Sequence, residues 1–365
     1  MVPVEPAPAT LTVDLDALVE NWRGLKTRVG AADCAAVVKA DGYGLGAAQI
    51  APALARAGCS EFFVAHLSEA VALRATLPGA NITVLNGVEA GTAEHLIRHG
   101  LRPALGSPGQ IEVWAAAAKR AGRPLKAALH RDTGMNRLGL SAAESDALER
   151  QPSLLAGIEI ELVMSHLACS DEPQHPLNAS QLAAFAEWRR RYPTTKASFA
   201  NSSGIFLGPA YHFDLARPGY ALYGGNPTPD QPNPMRAVVT LTTRILQIRD
   251  ALPQGSVGYG ATHRFAKATR VATLAIGYAD GFNRGASNRG AVLIGGRRAP
   301  IVGRVSMDLV TVDVTHLPHA ATGDEAVLIG GELDIDAVGA NAGTIGYEIL
   351  TRLGSRPRRV YKGGQ

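Results

Sequence analysis

Cysteine is scarce in this chain. Cys34, Cys59 and Cys169 are the three cysteines among 365 residues. An odd number at wide spacing excludes a disulfide framework and points to a reducing compartment. There is no C-x-x-C and no H-E-x-x-H, so no metal site announces itself. Aromatic residues make up 5% of the chain and no basic stretch interleaves with them; the net charge of +4 is therefore no nucleic-acid footprint. The run "WRRRY" at 188–192 reads as the solvated end of a helix. No apolar stretch is long enough to span a bilayer. The proline-rich start "MVPVEPAPAT" lacks the basic-then-apolar order of a secretory signal. A soluble, cytoplasmic protein without membrane or nucleic-acid partners is the expectation. What is present is an ordinary apolar content of 46%, enough for a large core, and a length that suits a large barrel plus one further domain.

Short strand-like runs alternate with helical periodicity over the first two thirds. Strands are expected near 34–39, 62–66, 82–86, 102–105, 126–131, 160–166, 197–201 and 213–217, with helices such as 68–77, 90–99, 108–121 and 177–191 between them. Such alternation implies parallel strands with crossover helices. Eight units over roughly 200 residues predict an α/β fold, a (β/α)8 TIM-type barrel, with a doubly wound sheet as the structural alternative. The pattern changes at "GGNPTPDQPNP", 224–234, a linker-like stretch. Beyond it β-type runs dominate, at 237–248, 269–276, 291–294, 310–314 and 326–329, until a helical "TIGYEILTRL". The expected domains are a barrel over 12–230 and a mostly β domain over 231–365, with 1–11 packing beside the latter.

In such a barrel chemistry sits at the C-terminal strand ends. The polar residues there are Lys39, His66, Asn86, Arg131 with nearby Arg137, His166, Asn201 with Ser202, and Arg217. Any one of them reads as a structural residue; a polar group at nearly every strand end reads as a site. Lys39 closes the apolar run "AAVVK" before the glycine-rich "ADGYGLGA". A buried ammonium is costly, so Lys39 either snorkels out, pairs with Asp41, or serves as a Schiff-base lysine of lowered pKa. The glycine spacing G-x-G-x-G does not match a dinucleotide fingerprint. The seventh and eighth loops, "NSSG" and "RPGY", offer backbone N–H groups beside small residues, a setting that suits a phosphate. An aldehyde taken by Lys39 and a phosphate taken by these loops together describe pyridoxal 5′-phosphate.

The stretches "VVKADGYGLGA", "DTGMNRLG", "SHLACSDEP", "ANSSG", "RPGYALYG", "VGYGAT", "IGYADGF", "GRVSMD" and "TIGYEIL", in this order, resemble the bacterial alanine racemases, which are pyridoxal-phosphate enzymes of the barrel-plus-β-domain type. The resemblance covers nearly the whole chain. It implies interconversion of L-alanine and D-alanine, with D-alanine supplied for peptidoglycan. It makes Lys39 the Schiff-base lysine and one acid/base group, and Tyr259 in "GYG" the other. It places Tyr43, Ser202, Gly219, Tyr220 and Tyr347 at the phosphate, His166 behind the ring and bonded to Arg217, and Arg217 at the pyridine nitrogen. Arg137 would touch the cofactor's phenolic oxygen and the substrate carboxylate, and Met307 would meet that carboxylate through its backbone. Asp171, Tyr278, Arg284, Arg304 and Asp308 would line the substrate's approach. The second-domain residues would reach the site of another subunit, which implies a head-to-tail homodimer.

These residue types suit the reaction. A proton leaves one face of the α-carbon and another returns on the opposite face, so two bases are needed. Tyr259 needs a pKa well below the usual ~10 for this role. Arginine at the pyridine nitrogen keeps its proton, so the ring stays neutral and transamination is suppressed. Three positions depart from the family's common pattern. His130 stands where many members carry a carbamylated lysine that orients Arg137, and leaves that task to something else, such as a bound chloride. Gly42 stands for a frequent alanine and Ser306 for a frequent cysteine. Rival readings are a racemase of broader range, acting on serine or basic amino acids; a related decarboxylase, which lacks its reactive cysteine here; and a non-catalytic pyridoxal-phosphate carrier, which the "GYG" and "SMD" segments disfavour.

Overall fold

The computed structural model describes residues 7–364. Strand segments Asp33–Cys34 and Ala36–Val37, Glu61–Val64, Asn81–Val84, Arg102–Leu105, Leu125–His130, Ile158–Met164, Lys196–Ser198 and Leu215–Ala216 form one parallel sheet. The first two segments are one strand interrupted at Ala35. Its first half pairs with Leu215–Ala216 and its second half with Glu61–Val64. Backbone bonds run from Asp33, Ala35 and Val37 to residues 214, 216 and 218, and from Val38 to Phe63. The sheet therefore closes on itself, and the eight strands make the expected barrel.

The helices outside the barrel follow from their sequences. Pro108–Ala121 begins with Ser107, whose hydroxyl accepts from Gln110 N, and with proline in the first turn. Ile111, Trp114, Ala117 and Ala118 recur at helical spacing and are the buried face. Burial of a large side chain such as Ile111 stabilises by about 1.5–3 kcal/mol. The run at 188–192 differs from the expectation of a solvated face. Trp188 is fully buried against Phe185, while Arg189 and Arg191 pair with Asp214 and Asp146.

The second sheet holds Val239–Ala251, Thr269–Leu274, Ala291–Ile294, Arg297–Pro300, Val310–Asp313 and Glu325–Ile329, joined by Thr10–Asp14 and Arg358–Lys362. Thr10–Asp14 lies between Val239–Ala251, antiparallel, and Arg358–Lys362, parallel. This strand crosses the expected boundary at residue 12. Of the segment 1–11 expected beside this domain, residues 1–6 lie outside the described residues. Helices Ile335–Ala342 and Gly346–Thr351 carry this domain back against the barrel mouth.

Candidate active site

Lys39 does not end a strand. The strand stops at Val37, and Lys39 opens a turn in which Ala40, Asp41, Gly42 and Tyr43 all have φ between 53° and 63°. This is a left-handed helical turn, which costs roughly 1–2 kcal/mol for each non-glycine residue in it. Hydrogen bonds offset that cost. Gly42 N donates to Val38 O, Gly44 N to Ala40 O and Gly46 N to Asp41 O. The Asp41 carboxylate accepts from Ala47 N, so its role is to cap the turn and not to pair with Lys39. Tyr361 of the second domain donates to Leu45 O at 2.9 Å.

Lys39 faces a cavity of about 510 Å³ at the barrel mouth, within the range of small-ligand sites. Every barrel strand except Arg102–Leu105 contributes a lining residue at or just beyond its C-terminal end. Lys39, Tyr43, Arg137, His166, Ser202, Arg217, Gly219, Tyr220 and Tyr347 are brought together there, with Asn86, Asn201 and His130. Arg131 is not among them. Strand alternation turns it outward, with its guanidinium 5.9 Å from the Trp188 ring, and turns His130 inward instead. His66 also stands aside, at the start of helix Leu67–Thr76.

Arg217 is buried and held on three sides. It donates to Ser198 Oγ at 2.5 Å and to Ser165 O at 2.6 Å, and lies 3.5 Å from His166 Nδ1. Burial lowers its pKa to about 10, which still leaves it charged at neutral pH. Burial, then the nearby Arg217 charge, pushes His166 well below the ordinary imidazole value. The same two causes bring His130 to about 4. Both histidines are therefore neutral at pH 7. Burial lowers the Lys39 pKa, and the Arg137 guanidinium lowers it further.

The Arg137 loop is organised without an anion at position 130. The Asp132 carboxylate accepts from the backbone N–H groups of Gly134, Met135 and Asn136 at 2.7–2.8 Å. Thr133 Oγ1 lies 2.8 Å from Ser165 Oγ, which joins this loop to the strand that precedes His166. Ser202 Oγ accepts from Gly219 N and Ala221 N, drawing the seventh and eighth loops together. Tyr220 stacks on Tyr347 at 3.8 Å between ring centroids, and its hydroxyl donates to Asp336 at 2.6 Å. The stack leaves Tyr347 partly exposed. Tyr43 stacks on Tyr223, whose hydroxyl donates to Val37 O.

The other second-domain candidates lie elsewhere. Tyr259, Tyr278, Arg284 and Arg304 line a separate surface cavity with Val305 and Ser306. Tyr259 is 74% exposed and Met307 53%. Among the described residues the Met307 N–H has no acceptor, while its carbonyl accepts from Ala279 N. Asp308 pairs with Arg356, which also holds Asp280. Asp171 is exposed on the loop after the sixth strand, and its charge helps raise the Tyr347 pKa to about 12, second to burial.

Lys39, Arg137 and Arg217 meet at this mouth, and among the described residues that line it there is no aspartate or glutamate. A Cβ on Gly219 would stand 2.2 Å from the Tyr43 hydroxyl, so glycine is what lets that phenol approach the loop backbone. An amine of lowered pKa, an excess of cations, a hydroxyl and closely approached amides fit a phosphorylated aldehyde. The fold and site thus define a class: barrel enzymes that hold such a cofactor through a lysine in the loop just past the first strand. The alanine racemase N-terminal domain family matches residues 13–227 and the C-terminal domain family residues 238–361. The alanine racemase of Rhodospirillum rubrum is 53% identical over 98% of this chain and 96% of its own length. That of Methylobacterium nodulans is 52% identical over 97% and 96%. The crystal structure of alanine racemase from Bartonella henselae with covalently bound pyridoxal phosphate superposes with a TM-score of 0.94, at 43% identity, covering 98% of this chain and all of that one. The chain belongs to the alanine racemase family, and its reaction is the interconversion of L-alanine and D-alanine.

Some residues that shape this mouth carry no signal in the sequence. Asp336, Tyr223, Ser165 and Ser198 act through site residues, and each looks like an ordinary polar or core position in its own segment. Asp132 was within reach, since an aspartate followed by T-G is a turn signal.

Proposed function

We propose that the barrel unit, expected over 12–230, holds pyridoxal 5′-phosphate and one acid/base group, and that the β unit, expected over 231–365, supplies the other group to a second copy of the chain. One observation carries this reading: the cavity around Lys39 contains a single proton-transferring amine, while Tyr259 stands exposed on a separate surface.

When bound, pyridoxal phosphate withdraws electrons from the substrate's α-carbon and makes its proton removable. Lys39 would hold the cofactor through its amine and, as a free amine, would hold or deliver the proton on one face. Burial and Arg137 favour its neutral form, which a base requires. Tyr259 of the partner copy moves the proton on the other face. Ser202, Gly219, Tyr43, Tyr220 and Tyr347 hold the phosphate. Arg217 donates to the ring nitrogen and, fixed by Ser165 and Ser198, keeps its own proton. His166 supports it in neutral form. Arg137 and the free Met307 N–H take the substrate carboxylate. Asp171, Tyr278, Arg284, Arg304 and Asp308 line the approach, where the arginines attract the substrate's carboxylate.

The assembly is a head-to-tail homodimer with shared sites, working in the cytoplasm and supplying D-alanine for peptidoglycan. No helix among the described residues is long and apolar enough to cross a membrane. The test mixes Lys39→Ala and Tyr259→Phe chains by co-expression, with D-alanine measured by a chiral assay beside L-serine and L-lysine as substrates. Random pairing of a two-fold dimer gives about a quarter of the wild-type sites intact. No recovery above the separate variants places both groups in one chain and rejects shared sites.

A further inference from the structure

We propose that Glu69 is a positioning residue for Lys39: from the helix after the second barrel strand, its carboxylate fixes the left-handed turn that presents the lysine amine. This rests on the reading of Lys39 as the lysine that binds the cofactor.

Glu69 lies 30 positions along the chain from Lys39, in helix Leu67–Thr76. Its two oxygens hold three backbone amides. Oε1 accepts from Ala40 N at 2.5 Å, and Oε2 accepts from Ala65 N and His66 N, each at 2.9 Å. Ala65 itself lines the cavity. One carboxylate thus joins the end of the second strand to the first residue of the strained turn. Ala40 has φ 53°, a conformation an alanine does not hold unaided. Its N–H points away from the bonds that tie the rest of the turn, which run from Gly42, Gly44 and Gly46. Glu69 is its acceptor.

The same carboxylate acts on Lys39 by charge. The charged or titratable groups that share the cavity with Lys39 are Arg137, His130, His166, Arg217, Tyr43, Tyr220 and Tyr347; of the charges, Arg137 and, from the helix after the second strand, Glu69 act on its amine. With His166 neutral, Glu69 is the one anion set against Arg137. It favours the protonated amine, whereas Arg137 and burial oppose it. Glu69 therefore keeps the Lys39 amine able to hold a proton as well as to give one up, a property a two-way acid/base group needs.

The test follows the full-length protein, freed of cofactor and reloaded with pyridoxal phosphate. Condensation of the lysine amine with the aldehyde forms a C=N bond and releases one water, and its absorption band reports the rate. Glu69→Gln retains size and one acceptor oxygen, so it folds even where Glu69→Ala does not. Removing the anion is expected to move the pH inflection of the reloading rate downward in Glu69→Gln. Loss of both acceptor oxygens, which frees all three amides, is expected to slow reloading roughly ten- to hundred-fold in Glu69→Ala, the scale of an unsatisfied amide. Amide exchange should quicken at 40–46. Wild-type reloading rate and inflection in Glu69→Gln, whatever the melting temperature, reduce Glu69 to a helix cap and overturn the proposal. Lys39→Ala is the companion variant: if it still gains the band, the reading of Lys39 fails, and not the tether.

Discussion

The two ends of the barrel handle charge in opposite ways. At the mouth, Lys39, Arg137 and Arg217 meet without an acidic side chain among the lining residues described. At the floor, Arg102 is buried between Glu61 at 2.5 Å and Glu161 at 3.2 Å, and Lys126 pairs with Glu161 as well. Arg102 also donates to Thr83 Oγ1, and Asn81 donates to Glu61. The floor's cations are neutralised within the chain; the mouth's are left for an anion from outside. The strand Arg102–Leu105, absent from the mouth, carries the central residue of the floor. Conserving charge balance at one end and leaving it open at the other is how one scaffold divides stability from chemistry.

Lys39→Ala should break the mouth most completely. Racemisation is expected to fall at least about a thousand-fold, with the linkage band absent from the spectrum and thermal stability of the cofactor-free protein unchanged or raised. A large loss of stability in this variant would place Lys39 with the floor. Arg102→Ala should do the reverse. It strands Glu61 in a buried setting and is expected to cost about 3–5 kcal/mol in denaturant unfolding, while the surviving folded enzyme keeps its turnover. A turnover loss without a stability loss would erase the contrast.

Acidity sharpens the comparison. The unfolded chain protonates His130 near 6.5, while the folded chain does so only at about 4. The unfolded state therefore binds more protons between those values, and stability falls as the pH drops through that window, by something on the order of a few kcal/mol. His166 acts in the same direction. Urea midpoints at pH 7.5, 5.5 and 4.5 should show a shallower decline for His130→Asn than for wild type. An equal decline assigns the dependence to other groups. The smallest effect belongs to the rim of the floor. Lys196 meets Asp33 at 2.7 Å with both side chains about half exposed. Lys196→Ala should shift unfolding by less than about 1 kcal/mol, and a larger shift would show that the floor's ion pairs act as one network.

Most of the barrel was legible because βα alternation is written in hydrophobic period. Strand Arg102–Leu105 appears in the structure at its expected limits. The second domain was less so. Arg358–Lys362 reads R-R-V-Y-K, without alternation, and it becomes a strand only because Thr10–Asp14 lies alongside it. The mouth was legible as a list of residues but not as a shape. Nothing in "KADGY" announces a left-handed turn, since three of its four left-handed residues have side chains that disfavour it and the forces that hold it lie on Glu69 and Ala47. The placement of Arg131 failed for a simpler reason: a one-residue shift in register sends a strand-end side chain to the opposite face.

The position of Thr10–Asp14 also sets a timetable. This strand leaves the ribosome before the barrel, and its parallel neighbour Arg358–Lys362 leaves after it. Between them the barrel is made whole, from residue 33 to the pairing of Leu215–Ala216 with the strand that precedes Lys39. The growing chain can thus complete its barrel while the early strand still waits, unpaired on that side, for residues 358–362. Contacts of such long range form slowly. Nascent chains arrested before residue 358 should carry a finished mouth and an open edge.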